Sequence, residues 1–542
     1  MKMTVSQAMV ECLKAENVKV VFGYPGAAIC PFYDALLDAE NDIRQVLVRQ
    51  EANGGHAAPN GYARISGKPA VCIATSGPGA TNLITAIATA YADSIPIVCI
   101  TGQVNTDQIG SDVFQEADIT GSAEPFVKHS YLLKDPEDTA RVFKEAFYIA
   151  GTGRPGPVLI DIPMDVQKAV IDFEYPEKCE IRSYKPTTKG NYVQVRRVMA
   201  ALEEAEKPLI CIGGGVFAAH AENEIRELAD LMQIPVITTM MGISVFPDDD
   251  QLFCGMIGTH GVKMANAAVN ECDVLFLVGA RVGDRAVKTP LALEKTTKII
   301  HIDIDPAEIG KNIGADLPLV GDAKLVLQQM TELAKPMKHD EWIAHIKTLG
   351  GERKYVEPAT GTVNPRVFID RLAKKMPANV TVVADVGQNQ IWTCTEYKFR
   401  KEGRLLTSGG MGTMGYSVPA AIGAKMADNS RATVAICGDG AFQMSFMELA
   451  TAVQFGVDIK VVVMTNNRLG MVRELQTNGY HDRQTAVFLD GSPDFIKLAE
   501  AYGIPAMRVY DDDTMDKGIE MLAEHKGICL VEVVVDKDMP TL

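Results

Sequence analysis

Aromatic residues are scarce in this chain: they make up 6% of its 542 residues, and only two of them are tryptophans. All-β domains rely on aromatic and β-branched residues in their strands, so this composition argues against them. No apolar run approaches the roughly 18 residues of a membrane-spanning helix. Acidic residues also interrupt the apolar positions near the N-terminus, which excludes a typical signal peptide. With 46 glycines available for tight strand-to-helix turns, the chain is predicted to be an α/β protein without a membrane anchor.

The chain also lacks an excess of positive charge and lacks closely spaced cysteine pairs. The 53 Lys and Arg residues are outnumbered by 69 Asp and Glu residues, which gives a net charge of −16. This balance argues against binding to nucleic acid or to an anionic membrane surface. The eleven cysteines contain no CxxC pair and lie mostly in apolar runs. We therefore expect buried, reduced thiols and a cytoplasmic location.

Short β-branched runs alternate with helical stretches almost throughout the chain, a pattern that predicts parallel sheets covered by helices. Two polar, proline-containing segments, at 173–193 and 347–365, lack apolar periodicity and are interpreted as linkers. They divide the chain into parts at about 1–175, 190–340 and 365–542, each of ordinary domain size. The predicted fold is thus α/β, with three doubly wound parallel-sheet domains whose ligands bind at the carboxyl ends of the strands.

The sharpest local pattern lies in the third part. The run TVAICGDG places Asp439 between two glycines at the end of a predicted strand, and IKVVVMTNN places Asn466 at the end of another strand 27 residues later. One amphipathic helix fits between them, so the two side chains are expected on neighbouring strand ends. Asp-Gly alone is a common turn. A carboxylate and an amide oxygen in this pairing, however, suit Mg²⁺ or Ca²⁺ completed by diphosphate oxygens.

GDG followed at this distance by an Asn-bearing strand end resembles the signature of thiamin-diphosphate enzymes. Over nearly its whole length the chain resembles the catalytic subunits of acetohydroxyacid (acetolactate) synthases. The stretches that carry the resemblance include RQEANGGHAA, ATSGPGATNLITAIATAYADSIPIV, FQEADI, HIDIDPAEIGKN, TSGGMGTMGYSVPAAIGA, GDGAFQM and LGMV.

The resemblance implies a fold and an activity. The first domain would bind the pyrimidine of thiamin diphosphate, the middle domain would bind FAD, and the third would bind the diphosphate with Mg²⁺. Pyruvate would be decarboxylated and its two-carbon unit joined to a second 2-keto acid, giving 2-acetolactate in the first step of branched-chain amino-acid biosynthesis. A related thiamin-diphosphate decarboxylase or a carboligase with a different acceptor is the alternative. A non-catalytic scaffold is opposed by the intact set Glu51, Asp439 and Asn466.

The resemblance also assigns site residues. Glu51 would act on the cofactor's pyrimidine, and Gln115 would assist in the substrate pocket. The metal would be held by Asp439, Asn466 and the backbone carbonyl of Arg468. The substrate pocket would be formed by Gly26, Ala27, Gln115 and Leu475. The remaining contacts to thiamin diphosphate would come from Tyr24, Pro25, Gly26, Pro78, Asn82, Gln388, Asn389, Gly412, Met414, Gly438, Gly440, Ala441, Gly470, Met471 and Val472.

The flavin would be mostly structural, because the net reaction is not a redox reaction. The resemblance assigns to it Phe114, Arg154, Gly213, Gly214, Gly215, Thr239, Met240, Met241, Gly258, Thr259, His260, Gly279, Ala280, Arg281, Asp303, Ile304, Asp305, Glu308, Gly321 and Asp322.

In this family the cofactor lies between the first domain of one chain and the third domain of another. Self-association into at least a homodimer is therefore implied, and the choice between dimer and tetramer stays open. The substrates would be pyruvate and, as a second acceptor, 2-ketobutyrate. The sequence leaves open whether a separate regulatory subunit binds, and whether the role is biosynthetic or fermentative.

The chain departs from the family pattern after Glu51. The stretch that follows contains one extra residue, with Pro59 and Asn60 where the family usually has one residue. Proline restricts the residue before it and disrupts helices, so we expect the helix after Glu51 to be shortened or kinked. Because Glu51 precedes the insertion, its own placement should survive.

Three further departures concern the substrate and flavin sites. Leu475 stands where biosynthetic members usually have a tryptophan that narrows the acceptor site, so we expect a looser pocket and a weaker preference for 2-ketobutyrate. Gly283 stands where the family typically has Asp, beside the predicted flavin contacts. The sequence also ends at VEVVVDKDMPTL, short of the tail that often covers this active site.

Overall fold

Three six-stranded sheets, each flanked by helices, form the framework of the molecule. The computed structural model describes residues 1–351 and 355–542, with the backbone alone at positions 58 and 59. Within each of the three sheets every strand pairs with its neighbours in parallel. The prediction of three doubly wound parallel sheets is therefore confirmed.

The first sheet has the strand order β3-β2-β4-β5-β7-β6, and β1 and β8 form a separate two-stranded antiparallel sheet. The strands of this part of the chain are β1 Lys2–Thr4, β2 Val20–Gly23, β3 Arg44–Leu47, β4 Ala70–Ala74, β5 Ile97–Gln103, β6 His129–Leu132, β7 Pro157–Pro163 and β8 Val170–Asp172. Its helices are α1 Val5–Ala15, α2 Cys30–Leu37, α3 Glu51–His56, α4 Arg64–Ser66, α5 Pro78–Asn82, α6 Ile84–Ala92, α7 Ile119–Ala123, α8 Thr139–Gly151 and α9 Met164–Lys168.

The middle sheet has the order β11-β10-β9-β12-β13-β14. Its strands are β9 Pro208–Ile212, β10 Val236–Thr238, β11 Phe253–Met256, β12 Val274–Val278, β13 Lys298–Asp303 and β14 Leu317–Val320. The helices around it are α10 Tyr192–Glu204, α11 Gly215–Ala218, α12 Glu222–Met232, α13 Lys263–Glu271, α14 Pro290–Leu293, α15 Ala323–Thr331 and α16 Asp340–Thr348.

The third sheet has the order β16-β15-β17-β18-β20-β19. Its strands are β15 Thr381–Ala384, β16 Arg404–Thr407, β17 Thr433–Gly438, β18 Lys460–Thr465, β19 Ala506–Val509 and β20 Cys529–Val534. Its helices are α17 Pro365–Lys375, α18 Gln388–Glu396, α19 Ser417–Ala427, α20 Asp439–Phe442, α21 Leu449–Phe455, α22 Gly470–Gly479, α23 Phe495–Ala501 and α24 Asp512–Glu524.

Burial on both faces explains the composition of the central strands. Every residue of β5, β12 and β18 is buried, which is why each strand contains a run of consecutive apolar residues rather than an alternating pattern. Trp342, on α16, packs into the middle core and donates its indole N–H to the carbonyl of Pro208 at 3.0 Å. Within the described ranges, no helix has the length and apolar character needed to cross a membrane.

The predicted limits of the three domains, 1–175, 190–340 and 365–542, remain predictions. The segment 177–191 between the first and middle sheets contains neither helix nor strand. Of the second predicted linker, 347–365, residues 352–354 lie outside the described residues.

The one-residue insertion after Glu51 takes an unexpected form. The helix does not end near Pro59; it continues from α3 as a π-helix over Ala57–Ala63 and then returns to α4. A π-helix, with its wider turn, absorbs one extra residue without breaking the helix. The side chain of Pro59 lies outside the described part, but the backbone shows that the helix is widened rather than cut short.

This π-helix packs closely on the third sheet's α19. A Cβ atom at Gly61 would collide with the backbone carbonyl of Ala420, and one at Gly423 would collide with the carbonyl of Ala57. The first and third units of one chain are therefore in backbone contact along this helix pair.

Candidate active site

Asp439 and Asn466 meet at the carboxyl edge of the third sheet. Asp439 begins α20 directly after β17, Asn466 directly follows β18, and these two strands are neighbours. The Oδ2 of Asp439 accepts hydrogen bonds from the backbone N–H groups of Asn466 at 3.2 Å and Asn467 at 2.6 Å. Burial raises the pKa of Asp439 to about 6, although these backbone donors pull it down. The sequence spacing thus corresponds to one compact group of polar atoms.

The amide of Asn466 joins this group to the next loop. Its Oδ1 accepts from the backbone N–H of Arg468 at 3.1 Å, and its Nδ2 donates to the Oε1 of Gln388 at 3.0 Å. Gln388 begins α18, so a third strand end contributes to the same edge. A Cβ atom at Gly470 would collide with Gln388 Oε1, so a larger residue at 470 would displace the Gln388 side chain from its present contacts.

The donor set fits a hard divalent cation. One carboxylate, one amide oxygen and the carbonyl of Arg468 are oxygen ligands of the kind that Mg²⁺ takes together with phosphate oxygens. In the described part of the chain, no group of three or more His, Cys, Asp or Glu side chains is arranged to hold a metal. A cation held by Asp439 and Asn466 would complete its coordination with the carbonyl of Arg468, phosphate oxygens and water.

Gln388 is also contacted by the end of the chain. Its Nε2 donates to the carbonyl of Met539 at 2.9 Å and lies 3.2 Å from both Thr541 Oγ1 and Glu474 Oε1. The short C-terminal segment thus packs beside the predicted diphosphate loops. Asn389, next to Gln388, instead donates its amide to the carbonyls of Asp385 and Ile436 within the sheet.

Met414 lies on a loop that a buried carboxylate holds in place. Asp385 is fully buried and accepts from the backbone N–H groups of Gly415 at 3.1 Å and Ser417 at 2.7 Å. Burial raises the pKa of Asp385. The methyl group of Met414 would lie 3.6 Å from a Cβ atom at Gly440, which puts it beside the GDG turn, where an apolar side chain could support a bound cofactor.

Glu51 is the first residue of α3, on the first sheet. Its Oε2 accepts from the Nδ2 of Asn82 at 2.9 Å, and a Cβ atom at Gly79 would lie 3.3 Å from its Oε1. The hydroxyl of Thr75, close to the same glycine, is buried and has no hydrogen-bond partner among the described residues. Glu51 and Asn82 thus form a small polar group at the carboxyl edge of the first sheet.

Several of the first-domain residues assigned to the cofactor or to the substrate pocket are exposed. They are Tyr24, Pro25, Ala27, Pro78 and Asn82, while Gly26 is half-buried against Thr75. In the third unit, Gly412, Val472 and Leu475 are exposed as well. Within the described residues, no hydrogen bond or ion pair joins the side chain of Glu51 to that of Asp439; in a single chain each has its own separate set of partners.

Gln115 sits on a strained loop. Its φ of 60° is in the left-handed region that non-glycine residues rarely adopt. Gly77 allows this loop to come close, because a Cβ atom there would lie 2.9 Å from the Cα of Gln115. Phe114 is 87% exposed and projects from the same loop.

Two carboxylates that the sequence did not single out support the Gln115 loop. Asp161, on β7, accepts from Thr101 Oγ1 at 2.7 Å and Gln103 Nε2 at 2.9 Å, and Gln103 Nε2 also lies 2.8 Å from the carbonyl of Ala117. Burial raises the pKa of Asp161 to about 7. Glu116 accepts from the backbone N–H groups of Gly110 and Val113. The stretches around Gln103 and Asp161 belong to the family resemblance, but nothing local in the sequence pairs them.

A second site is a cavity of about 870 Å³ between the three sheets, which is near the upper end of the roughly 300–1,000 Å³ typical of small-molecule sites. Many of the residues assigned to the flavin line it, namely Arg154, Gly214, Gly215, Thr239, Met240, Met241, His260, Gly279, Arg281, Asp303, Ile304, Glu308 and Asp322. The others lie outside its wall: Phe114, Gly213, Gly258, Thr259, Ala280, Asp305 and Gly321.

Some of the charged groups at this cavity are paired with one another. Arg154 contacts Glu308 at 2.7 Å and Asp305 at 3.3 Å, and burial raises the pKa of Asp303 to about 6. Gly283 also lines the cavity, and a Cβ atom there would meet open space. With glycine at position 283, where the family typically has Asp, the cavity is therefore wider at this point. The size and mixed polar lining fit a dinucleotide.

Comparison with known proteins identifies the family. Residues 3–122 match the thiamine pyrophosphate (thiamin diphosphate) enzyme N-terminal TPP binding domain, residues 195–330 match the central domain, and residues 385–533 match the C-terminal TPP binding domain. The three matches follow the three sheets in order.

Similar full-length proteins agree. The chain is 44% identical over 545 residues to a probable acetolactate synthase large subunit of Methanocaldococcus jannaschii, covering 98% of this chain and 92% of the relative. It is 43% identical over 549 residues to the acetolactate synthase large subunit of Corynebacterium glutamicum, covering 99% and 87%. It is 42% identical over 553 residues to the acetolactate synthase of Mycobacterium bovis, covering 99% and 88%. The chain therefore belongs to the thiamine pyrophosphate enzymes and, within them, to the acetolactate synthase large subunits.

Proposed function

We propose that this acetolactate synthase converts two molecules of pyruvate into 2-acetolactate and CO₂, using thiamin diphosphate and Mg²⁺. The observation that carries the proposal is the coexistence, in one member of this family, of the Asp439–Asn466 group at the third sheet and the Glu51–Asn82 group at the first. A related decarboxylase would use the same two groups. These groups therefore support the decarboxylation of pyruvate, and the choice of a second pyruvate as acceptor is the more specific part of the proposal.

Each group has a distinct task. Thiamin diphosphate, when bound, supplies the electron sink that makes decarboxylation of a 2-keto acid possible. Asp439, Asn466 and the carbonyl of Arg468 would hold Mg²⁺ against its diphosphate, and Met414 would support it from the apolar side. Glu51 would hold a proton at the pyrimidine N1′, oriented by the amide of Asn82. Gln115, on its strained loop, would contact the substrate.

We propose that the complete site forms between two chains, so that the enzyme is at least a homodimer. The separate partners of Glu51 and Asp439, and the exposure of the first-domain contact residues, support this arrangement. A tetramer built from such dimers would preserve it. Binding of a separate regulatory subunit is a further proposal, made because relatives are named large subunits.

FAD is proposed for the cavity of about 870 Å³, as a structural ligand. Arg154 and Arg281 on its wall would face the negatively charged pyrophosphate, and the turn at Gly214 and Gly215 would approach the dinucleotide closely. A cytoplasmic location is proposed because all eleven cysteines are free thiols.

One experiment tests the reaction. The purified chain is supplied with pyruvate, thiamin diphosphate and Mg²⁺, with and without FAD, and the products are identified. We expect one CO₂ and one 2-acetolactate for every two pyruvates, and loss of turnover in Glu51→Gln. Release of free acetaldehyde instead would favour the decarboxylase alternative. Full turnover in Glu51→Gln would refute the role proposed for Glu51.

A further inference from the structure

Glu448 connects the third unit of the chain to the segment that carries Glu51. It ends a short 3₁₀ turn, Phe446–Glu448, just before α21, and it is 1% exposed. Its Oε1 accepts from the backbone N–H of Arg49 at 2.8 Å and lies 3.3 Å from the Nδ2 of Asn53. Arg49 is two residues before Glu51 and Asn53 two residues after it, so one carboxylate oxygen brackets Glu51 on both sides.

The second oxygen of this carboxylate is also used. Thr451 Oγ1 lies 2.7 Å from Glu448 Oε2 and 3.3 Å from the carbonyl of Leu47, the last residue of β3. The Glu448 side chain is therefore fixed within its own unit while it holds the first unit. A buried carboxylate is costly unless it is hydrogen-bonded, and these bonds satisfy both oxygens.

The helix that Glu51 begins lacks a side-chain cap of its own. Gln50, the N-cap residue of α3, makes no side-chain capping bond. The direction in which Glu51 leaves the backbone thus depends on the segment 48–53. The third unit holds this segment through Glu448, at the backbone N–H of Arg49, and through Gln454, whose Oε1 accepts from the Nη2 of Arg49 at 2.7 Å. Glu448 is nine residues after Asp439, the proposed metal ligand. The segment 439–448 therefore runs from the proposed metal site to Arg49 and Asn53, the neighbours of Glu51.

We propose that Glu448 is a positioning residue for Glu51. It holds the backbone N–H of Arg49 before Glu51 and the side chain of Asn53 after it, and it thereby connects the pyrimidine half-site of a chain to the diphosphate half-site of the same chain. The proposal rests on the catalytic role proposed above for Glu51. Because the complete sites lie between chains in the proposed dimer, this contact links halves that belong to two different active sites.

The test compares three variants of the full chain. Glu448→Leu removes the acceptor at similar volume and leaves the Arg49 N–H unsatisfied. Glu448→Gln keeps an acceptor oxygen. Arg44→Met is the matched control, because Arg44 crosses the same interface to the carbonyl of Phe455 at 2.7 Å but contacts neither side of Glu51.

Two measurements are made on each variant: deuterium exchange of peptides covering 45–53 in the cofactor-free protein, and steady-state pyruvate kinetics. In Glu448→Leu we expect exchange at Arg49 to rise at least about tenfold. We expect kcat to fall about tenfold to a hundredfold while the KM for pyruvate changes little, since small displacements of a catalytic group cost rates of this order. Glu448→Gln and Arg44→Met should stay near wild type in both measurements.

The proposal is overturned if Glu448→Leu keeps wild-type kcat, or if Arg44→Met reproduces its losses, which would indicate general loosening of the interface. Glu51→Gln, assayed in parallel, separates this result from failure of the proposed function. If Glu51→Gln turns over at the wild-type rate, the role of Glu51 itself is wrong and the positioning role is overturned with it.

Discussion

Asp161 shows how one buried carboxylate supports the loop that carries Gln115. It has no contact with the predicted substrate pocket itself, but through Gln103 it is connected to the backbone at Ala117, two residues beyond Gln115. Since burial raises its pKa to about 7, the folded chain keeps a proton on Asp161 that the unfolded chain loses near pH 4. The charge state beneath the loop therefore changes near neutral pH.

This proton predicts a pH effect on stability. Between about pH 4 and pH 7 the folded state binds the extra proton, so the contribution of Asp161 to stability falls as pH rises through this window. We expect Asp161→Asn to make the decline of Tm over pH 4–7 shallower, measured by differential scanning calorimetry. Asp516→Asn, on the exposed face of α24, is the control and should leave the curve unchanged. Parallel curves for wild type and Asp161→Asn would contradict the prediction.

For single residues, the sequence predicts a contact in space where both residues lie at the ends of predicted strands. Asp439 and Asn466 were predicted to meet because each follows a β-branched run and one helix fits between them. Asp161, Asp385 and Glu448 could not be found in this way. Their partners are 58, 32 and 399 residues away, and a hydrogen bond across such separations leaves no local pattern.

Among the elements, the π-helix Ala57–Ala63 is the one that departs from expectation. The restrictions that proline places on the backbone predict a kinked or shortened helix. Instead, the segment packs against α19 and stays helical, and a wider helical turn accommodates the extra residue. Both amide atoms of Asn60 are buried there without a partner among the described residues. Such an unsatisfied amide costs about 1–3 kcal/mol.

Asn60→Leu is therefore expected to stabilise the protein, because it replaces an unpaired buried amide with an apolar side chain of similar size. We expect Tm to rise by about 2–4 °C, followed by thermal unfolding. Asn270→Leu, on the exposed side of α13, provides the control, since its amide donates to the carbonyl of Asn266. A lower Tm in Asn60→Leu would show that the amide is paired in solution.

The helix α22 carries the residue expected to set acceptor preference. Leu475 is 64% exposed on this helix, so a larger ring could be added there without disturbing the core. Leu475→Trp should narrow the acceptor site and raise the preference for 2-ketobutyrate over pyruvate by about tenfold or more, since pocket contacts of one or two methylenes are worth this much. Competition between the two acceptors measures it, and Val453→Trp on exposed α21 controls for a surface tryptophan. A strong 2-ketobutyrate bias already present in wild type and unchanged in Leu475→Trp would refute it.

At this scale the fold was largely predictable from the sequence. Continuous apolar runs such as β5 and β12 predict buried parallel strands, and glycine-rich turns mark where they end. The π-helix was not predictable, because its hydrogen bonding is decided by the fit of Gly61 against Ala420 in another unit.

For the whole molecule, the proposal that complete sites form between two chains has a testable result. Glu51→Gln and Asp439→Ala should each be inactive alone. If sites form between chains, a mixed dimer carries one site with both defects and one with none. Co-refolding or co-expression of the two variants should then recover about a quarter of wild-type activity by random pairing.

The size of the recovered activity distinguishes the two arrangements. Sites contained within single chains would leave the mixture as inactive as its components. Glu51→Gln alone, assayed at the same total protein concentration, gives the background activity for the comparison.

The two tryptophans end up in different units. Trp342 is buried in the middle unit, where it bonds to Pro208, and Trp392 is buried in the third, where its indole N–H donates to the carbonyl of Pro540 at 3.1 Å. Replacing either with phenylalanine leaves a single tryptophan, and its emission, excited at wavelengths that tyrosine absorbs little, reports the unfolding of one unit only. The order in which the middle and third units lose structure can therefore be followed without a chemical label, while the first unit stays invisible to this signal.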